Sequence, residues 1–167
     1  MENHTNPKTE KATFAAGCFW GVQLEFSKMF GVLNTKAGYT GGHKQSPGYY
    51  EVCDGDTGHA EAVEIQFNSD VVSYEELVRE FFKLHDPTTL NRQGPDVGEQ
   101  YRSAIFYHSD EQKATAEKVI QEVEDSGEFV NRVVTQVLPA DKFWDAEDYH
   151  QHYFAKRGMA SCHIRRK

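Results

Sequence analysis

The cysteine at position 18 lies in the segment GCFWG, residues 17–21. An alternating apolar run before it and apolar residues at helical spacing after it predict a turn from a strand into a helix. Because unpaired backbone N–H groups and the helix dipole favour an anion there, the pKa of the Cys18 thiol should fall below that of free cysteine, about 8.5. Cys18 is therefore a candidate nucleophile; a buried, inert thiol is the alternative interpretation. The two aromatic residues that follow, Phe19 and Trp20, could wall a small apolar pocket beside the sulfur.

Glu51 is the candidate acid. It lies between Tyr50 and Val52 in a predicted loop that spans 38–58 and is rich in glycine and tyrosine. Long aromatic-rich loops inside a compact domain are often functional. If Glu51 is buried there, desolvation raises its pKa and keeps a proton on the carboxyl at neutral pH, as a general acid requires. A solvated loop glutamate is the alternative.

Other candidate groups lie in the two long loops and the C-terminal tail. Tyr39 and Tyr101 could donate hydrogen bonds to a substrate oxygen, or each could satisfy one structural hydrogen bond. Asp96, in GPDVG, is typical of an Asx turn. Cys162 lies on a polar tail from which a thiol could reach a distant reactive cysteine, whereas Cys53 follows a valine and should be an inert core thiol. No close Cys-x-x-Cys pair is present, so we expect neither a metal site nor a cofactor.

The composition limits the class of protein. The 167 residues match one domain, and 38% hydrophobic with 13% aromatic residues suffices for a packed core. A net charge of −8 argues against nucleic acid or an anionic membrane surface as a partner. The polar first residues lack the features of a secretory signal or transit peptide, and an odd count of three cysteines argues against a stapled secreted fold. We expect a cytoplasmic monomer with no membrane span.

The elements that must position these groups follow from the apolar spacing. The pattern predicts the order strand, helix, strand, strand, helix, strand, helix, strand, with Phe30 still on the first helix and a short helix after Pro139. This order predicts an α+β fold, a two-layer sandwich in which helices pack on a mixed β-sheet. We divide the chain into a flexible N-terminus (1–10), a catalytic domain (11–155) and a mobile C-terminal tail (156–167).

Several motifs in order along the chain closely resemble those of the peptide methionine sulfoxide reductase A family: GCFWG (17–21), AGYTGG (37–42), YEVC (50–53), GHAEAV (58–63), HDP (85–87) and QYRS (100–103). The resemblance covers residues 11–162 and implies the ferredoxin-like core of that family. It implies a peptide-methionine (S)-S-oxide reductase, which repairs proteins under oxidative stress. Such an enzyme reduces the S epimer of methionine sulfoxide, free and in proteins, and is recycled by thioredoxin.

The resemblance implies a role for each candidate in the chemical step. Cys18 would attack the sulfoxide sulfur as a thiolate. Glu51 would be the protonated acid that hydrogen-bonds and then protonates the sulfoxide oxygen, with Tyr39 and Tyr101 donating to the same atom. A sulfoxide is a poor electrophile until its oxygen is protonated or strongly hydrogen-bonded, so a thiolate and a carboxylic acid must share one site.

The resemblance also implies the binding and resolving residues. Phe19 and Trp20 would hold the substrate methyl group, and Asp96 would bind the substrate's backbone amine or amide. Cys18 would be left as a sulfenic acid, which Cys162 would convert to a disulfide. Many relatives carry a further cysteine in a glycine-rich tail; without it, thioredoxin should reduce the disulfide directly. Cys53 is the alternative resolving thiol.

Three rival functions stay open on the sequence. A Cys/His hydrolase or acyltransferase would pair Cys18 with one of the eight histidines as base. A peptide-binding module would use the pocket of Phe19 and Trp20 without turnover. A redox sensor would form the same disulfide and repair nothing.

Overall fold

The computed structural model describes residues 8–159, and six strands form its central sheet. These are β1 (Thr9–Ala16), β2 (Val32–Thr40), β3 (Ala60–Asn68), β6 (Ser103–Tyr107), β7 (Gln136–Pro139) and β8 (Trp144–Asp145); a separate two-stranded ribbon joins β4 (Arg92–Gln93) to β5 (Asp96–Val97). The strand order is β7-β6-β1-β3-β2-β8. Only the β6–β7 pair is parallel within the described residues. The predicted mixed sheet is thereby confirmed.

Three long helices cover one face of this sheet: α1 (Phe19–Ser27), α3 (Tyr74–Leu84) and α4 (Asp110–Asp125). Two of them begin at a serine cap, where the Ser73 and Ser109 hydroxyls accept hydrogen bonds from backbone N–H groups in the first turn. Two shorter helices, α2 (Tyr49–Cys53) and α5 (Tyr153–Lys156), lie in the connecting segments. The α+β class with helices packed on the sheet is confirmed.

The alternation of side chains along β1 separates two packed faces. Phe14 faces the helices, where its ring centroid lies 5.3 Å from that of Phe26 and 5.2 Å from that of Phe81. Ala15 points to the opposite face and joins a small cluster built mainly of alanines, which the segment 138–143 covers. Most of the large aromatic side chains of the core therefore lie on the face that α1 covers, whereas Phe106 lies on the alanine-rich face.

Three local predictions are wrong. Phe30 lies outside α1, which ends at Ser27, and is 88% exposed. The segment 38–58 is not all loop, because it contains the last residues of β2 and all of α2. The chain after Pro139 first adds β8 to the edge of β2, so the predicted short helix begins later than Phe143, as a 3-10 turn at Asp148–His150 followed by α5.

The ends of the described range bear on the domain boundaries. β1 begins at Thr9, so the first strand already includes the last residues of the range expected to be flexible. No helix in residues 8–159 has the length and apolar character needed to cross a bilayer.

Candidate active site

Cys18 is the N-cap residue of α1, and the predicted strand-to-helix turn is confirmed. Gly17 makes the turn possible with a φ of +93°, a left-handed conformation that glycine adopts without a Cβ penalty. The Val22 N–H then donates to the Cys18 carbonyl at 3.5 Å, which closes the first helical turn. Cys18 is partly buried and lies beside the first N–H groups of the helix, which have no partner within the helix itself.

Glu61, on β3, is the carboxyl beside this helix start. The Phe19 N–H donates to Glu61 Oε1 at 3.3 Å, and Glu61 is 2% exposed. Burial raises the pKa of Glu61 to about 8; the Phe19 N–H opposes this shift, and the negative charge of Asp96 adds to it. At neutral pH Glu61 therefore carries a proton next to Cys18.

Glu51 is not buried, so it does not meet the condition set for a general acid and is the solvated glutamate of the alternative. Its side chain is 45% exposed and forms an ion pair with Lys44. Glu51 Oε1 also accepts a hydrogen bond of 3.2 Å from the Gly48 N–H at the start of α2. Lys44 first, and then the Gly48 N–H, hold the pKa of Glu51 below its usual value. This carboxylate is ionised at neutral pH and cannot donate a proton.

The alternation in β3 is a sequence signal that could have identified Glu61. Val63, Ile65 and Phe67 all face the helices, and Glu61 shares their odd positions. A strand of period two turns all odd positions to one face, so a glutamate in this series lies on the core side.

Tyr39 is buried on β2 opposite Glu61, but its hydroxyl donates to Glu147 Oε1 at 3.1 Å. Burial first, and then the Glu147 charge, raise the pKa of Tyr39 above its ordinary value. The hydroxyl therefore makes a structural hydrogen bond, which was the alternative interpretation. Its contacts give no support to the prediction that Tyr39 donates to the substrate.

Two other phenols lie close to Glu61. Tyr49, at the start of α2, is hydrogen-bonded to the Cys53 side chain; burial raises its pKa, and Cys53, Glu61 and Tyr101 raise it further. Tyr101 ends a 3-10 helix, Glu99–Tyr101. Tyr49 belongs to a segment that the sequence pattern assigns to a loop, and its position makes it a further candidate donor.

Tyr101 marks where the candidate groups meet. Burial raises its pKa, and the charges of Glu61, Cys53, Asp96 and Cys18 raise it further, in that order. The Tyr101 hydroxyl is thus electrostatically coupled to both thiols and to both carboxyls of the candidate site. Asp96 comes from β5 and the others from separate elements.

The backbone that carries Tyr101 is fixed by Arg102, which is 9% exposed. Its guanidinium donates to the Glu99 carbonyl at 2.9 Å and to the Gly58 carbonyl at 3.0 Å. The first contact holds the 3-10 helix and the second holds the loop that leads into β3. Arg102 thereby joins the segments of Tyr101 and Glu61.

The two aromatic residues after Cys18 differ in exposure. Phe19 is 1% exposed, and its ring centroid lies 5.7 Å from that of Tyr39. Trp20 is partly buried; its indole N–H donates to His150 Nδ1 at 2.9 Å, and its ring stacks on Tyr153 at 3.7 Å. Trp20 is thus the more accessible of the two predicted pocket residues.

Comparison with known proteins decides the family. The family model for peptide methionine sulfoxide reductase matches residues 10–167. The chain belongs to this family. It is 56% identical over 157 residues to the peptide methionine sulfoxide reductase MsrA of Methanothermobacter thermautotrophicus, covering 94% of this chain and 93% of the relative.

Solved structures of the family share the fold. Reduced Mxr1 from Saccharomyces cerevisiae is 39% identical and superimposes with a TM-score of 0.88, over 96% of this chain and 93% of Mxr1. Mxr1 in complex with Trx2 is 27% identical with a TM-score of 0.66, over 100% and 96% of the two chains. The protein is accordingly a peptide methionine sulfoxide reductase.

Reduction of a sulfoxide needs a nucleophile for the sulfur and a proton for the oxygen. In this reductase a thiol at a helix start lies beside a protonated, buried carboxyl. Among residues 8–159 no group of three or more His, Cys, Asp or Glu side chains could hold a metal ion.

Cys53 and Cys162 are the two candidates for the thiol that resolves the sulfenic acid. Cys53 ends α2 and is partly buried, which raises its pKa, and its charge acts on Tyr101 as that of Cys18 does. Cys53 therefore borders the site and is not remote from it in the core. Cys162 lies outside the described residues.

Proposed function

We propose that Cys18 attacks the sulfur of methionine S-sulfoxide as a thiolate while Glu61 protonates the sulfoxide oxygen. The observation that carries this proposal is the 3.3 Å hydrogen bond from the Phe19 N–H to Glu61. It ties a carboxyl of raised pKa to the helix that begins at Cys18. This replaces the acid role that the sequence analysis gave to Glu51.

The step balances without a cofactor. A bond forms between the Cys18 sulfur and the sulfoxide sulfur as the oxygen takes the proton from Glu61. The sulfoxide S–O bond and the new S–S bond then break as the hydroxyl passes to the Cys18 sulfur. Cys18 is oxidised to a sulfenic acid, the substrate sulfur is reduced, and methionine leaves as the thioether. Tyr49 and Tyr101 donate hydrogen bonds to the oxygen while its charge develops, the role assigned to an oxyanion hole.

The remaining candidates bind the substrate. Phe19 and Trp20 hold the methyl group on sulfur, since aromatic side chains at a site mouth favour an apolar group of that size. Asp96 binds the amine of free methionine sulfoxide or a backbone N–H of an oxidised protein. Both free and protein-bound methionine sulfoxide are therefore substrates.

Regeneration uses a second thiol and an external reductant. The Cys162 thiol condenses with the sulfenic acid of Cys18 to a disulfide, and water leaves. The tail 156–167 would supply this thiol; Cys53, which borders the site, is the competing candidate. A thioredoxin then reduces the disulfide, for which the solved complex of Mxr1 with Trx2 gives support. The reducing cytoplasm suits an enzyme that needs free thiols.

The test is a single turnover without reductant. Fully reduced enzyme is mixed with methionine S-sulfoxide or, as a matched control, the R epimer; methionine is quantified and the thiols are mapped by peptide mass. We expect one methionine per enzyme from the S epimer only, with a disulfide between Cys18 and Cys162. A disulfide between Cys18 and Cys53 would overturn the role of the tail, and turnover by Cys18→Ser would overturn the mechanism.

A further inference from the structure

His150 is a buried side chain of the site to which the chemical step gives no role. It ends a 3-10 helix, Asp148–His150, and is 1% exposed. Its ring centroid lies 5.2 Å from that of Phe19, 4.5 Å from that of Tyr49 and 5.6 Å from that of Trp20. The imidazole thus fills the space between the start of α1 and the start of α2.

The hydrogen bond from Trp20 fixes the protonation state of this imidazole. An indole N–H can only donate, so His150 Nδ1, at 2.9 Å, must be an unprotonated acceptor. The ring proton then lies on Nε2, which is buried and has no hydrogen-bond partner in residues 8–159. Glu147 Oε2 lies 3.9 Å from this nitrogen, and its negative charge favours a proton there.

The indole of Trp20 is therefore held from two directions. His150 binds its N–H, and Tyr153 stacks on its ring at 3.7 Å with an interplanar angle of 5°. Rotation of the indole would break a buried hydrogen bond and leave the lone pair of Nδ1 without a donor, which carries a desolvation penalty.

We propose that neutral His150 is the positioning residue for Trp20, and through it for the pocket that receives the substrate methyl group. Protonation of Nδ1 replaces the acceptor with a donor and releases the indole. This inference rests on the substrate role proposed for Trp20. It predicts that acid pH weakens substrate binding through His150, separately from the chemistry of Cys18 and Glu61.

The groups that face His150 confine its protonation to acid pH. Glu147 and Tyr149 come from its own segment, Tyr49 from α2, and Phe19 and Trp20 from α1. Burial lowers the pKa of His150, and the Glu147 charge opposes this effect. His150 is therefore neutral at physiological pH.

A double-mutant cycle tests the link to Trp20. His150→Leu removes the acceptor, and we expect KM for methionine sulfoxide to rise by about tenfold with a smaller change in kcat. In a Trp20→Phe background, where no indole N–H exists, the same substitution should change KM little. An equal effect in both backgrounds would overturn the proposal.

A second variant covers the possibility that His150→Leu fails to fold. His150→Asn keeps an acceptor oxygen near the position of Nδ1 and cannot titrate. We expect it to restore KM at neutral pH and to abolish the rise in KM that the unsubstituted enzyme shows in acid. A KM as high as that of His150→Leu, or an unchanged acid rise, would contradict the assigned role.

A spectroscopic measurement needs no turnover and stays informative if the proposed function fails. In a Trp144→Phe variant, Trp20 is the single tryptophan of the chain. A protonated imidazole quenches a neighbouring indole, so Trp20 emission should fall with an acid midpoint that is lost in His150→Asn. Emission that ignores the His150 substitution would refute the pairing, whatever the substrate.

Discussion

Glu51 and Glu61 lie on consecutive elements, α2 and β3, and their pKa values are shifted in opposite directions. Glu51 reaches solvent at the start of a short helix, where Lys44 and a backbone N–H stabilise its charge. Glu61 lies on the inner face of a strand between β1 and β2, where one backbone N–H is too little to offset its loss of water. Burial in the sheet thus sets the pKa of Glu61, whereas Lys44 first and then the Gly48 N–H set that of the exposed Glu51.

The largest effect should separate the two carboxyls directly. Glu61→Gln keeps the shape of the side chain and removes its transferable proton, so kcat/KM should fall by about 10²- to 10⁴-fold. Glu51→Gln is the matched control, and its kcat/KM should stay near that of the unsubstituted enzyme. Steady-state assays with methionine S-sulfoxide measure both. A larger loss in Glu51→Gln would reverse the assignment.

The pH profile sharpens the same comparison. Glu61 must carry a proton to act, and its pKa is about 8. Once Cys18 is fully ionised, kcat/KM should therefore fall as pH rises through about 8, by about tenfold for each further pH unit. Glu51, whose pKa is lowered, adds no alkaline limb. The residual activity of Glu61→Gln should lack this limb, and an unchanged limb would mean that another group titrates.

The contrast also explains how far the sequence could lead. Local spacing in the sequence indicates the turn at Cys18, the period of two in β3 and the serine caps of α3 and α4. Loop aromatics beside Glu51 made it the candidate acid, whereas the burial that raises the pKa of a carboxyl depends on the whole sheet. The β2–β3 pairing sets Tyr39 opposite Glu61, and no local pattern indicates that Glu147 takes its hydroxyl.

The segment near the C-terminus shows a second limit of local patterns. β8 is a strand of two residues that pairs with β2, and only the partner strand defines it. His150 and Glu147 follow it and reach Trp20 and Tyr39 across more than half the chain. Contacts of such sequence separation leave no periodic signal, so no local pattern predicts them.

The tyrosines extend the comparison from acids to donors. Tyr101→Phe and Tyr49→Phe should each lower kcat by about tenfold, less than the loss of a single oxyanion-hole donor elsewhere because Glu61 and the other phenol stay in place. Tyr39→Phe should leave kcat near that of the unsubstituted enzyme. It should instead lower the free energy of unfolding by about 0.5–1.5 kcal/mol, since a part-buried hydrogen bond to Glu147 is lost. The opposite pattern, in which Tyr39→Phe lowers kcat and keeps stability, would restore Tyr39 as a substrate donor.

The smallest effect concerns the ion pair that distinguishes Glu51. Both partners are more than two-fifths exposed, and exposed ion pairs contribute little to stability because water and salt screen them. Lys44→Gln should therefore leave Tm and kcat/KM unchanged while the pKa of Glu51 rises toward its ordinary value, a shift that NMR titration can follow. High salt should reproduce that shift in the unsubstituted enzyme. A fall in activity would mean that the pair orients α2 and its Tyr49, and that the two carboxyls are coupled after all.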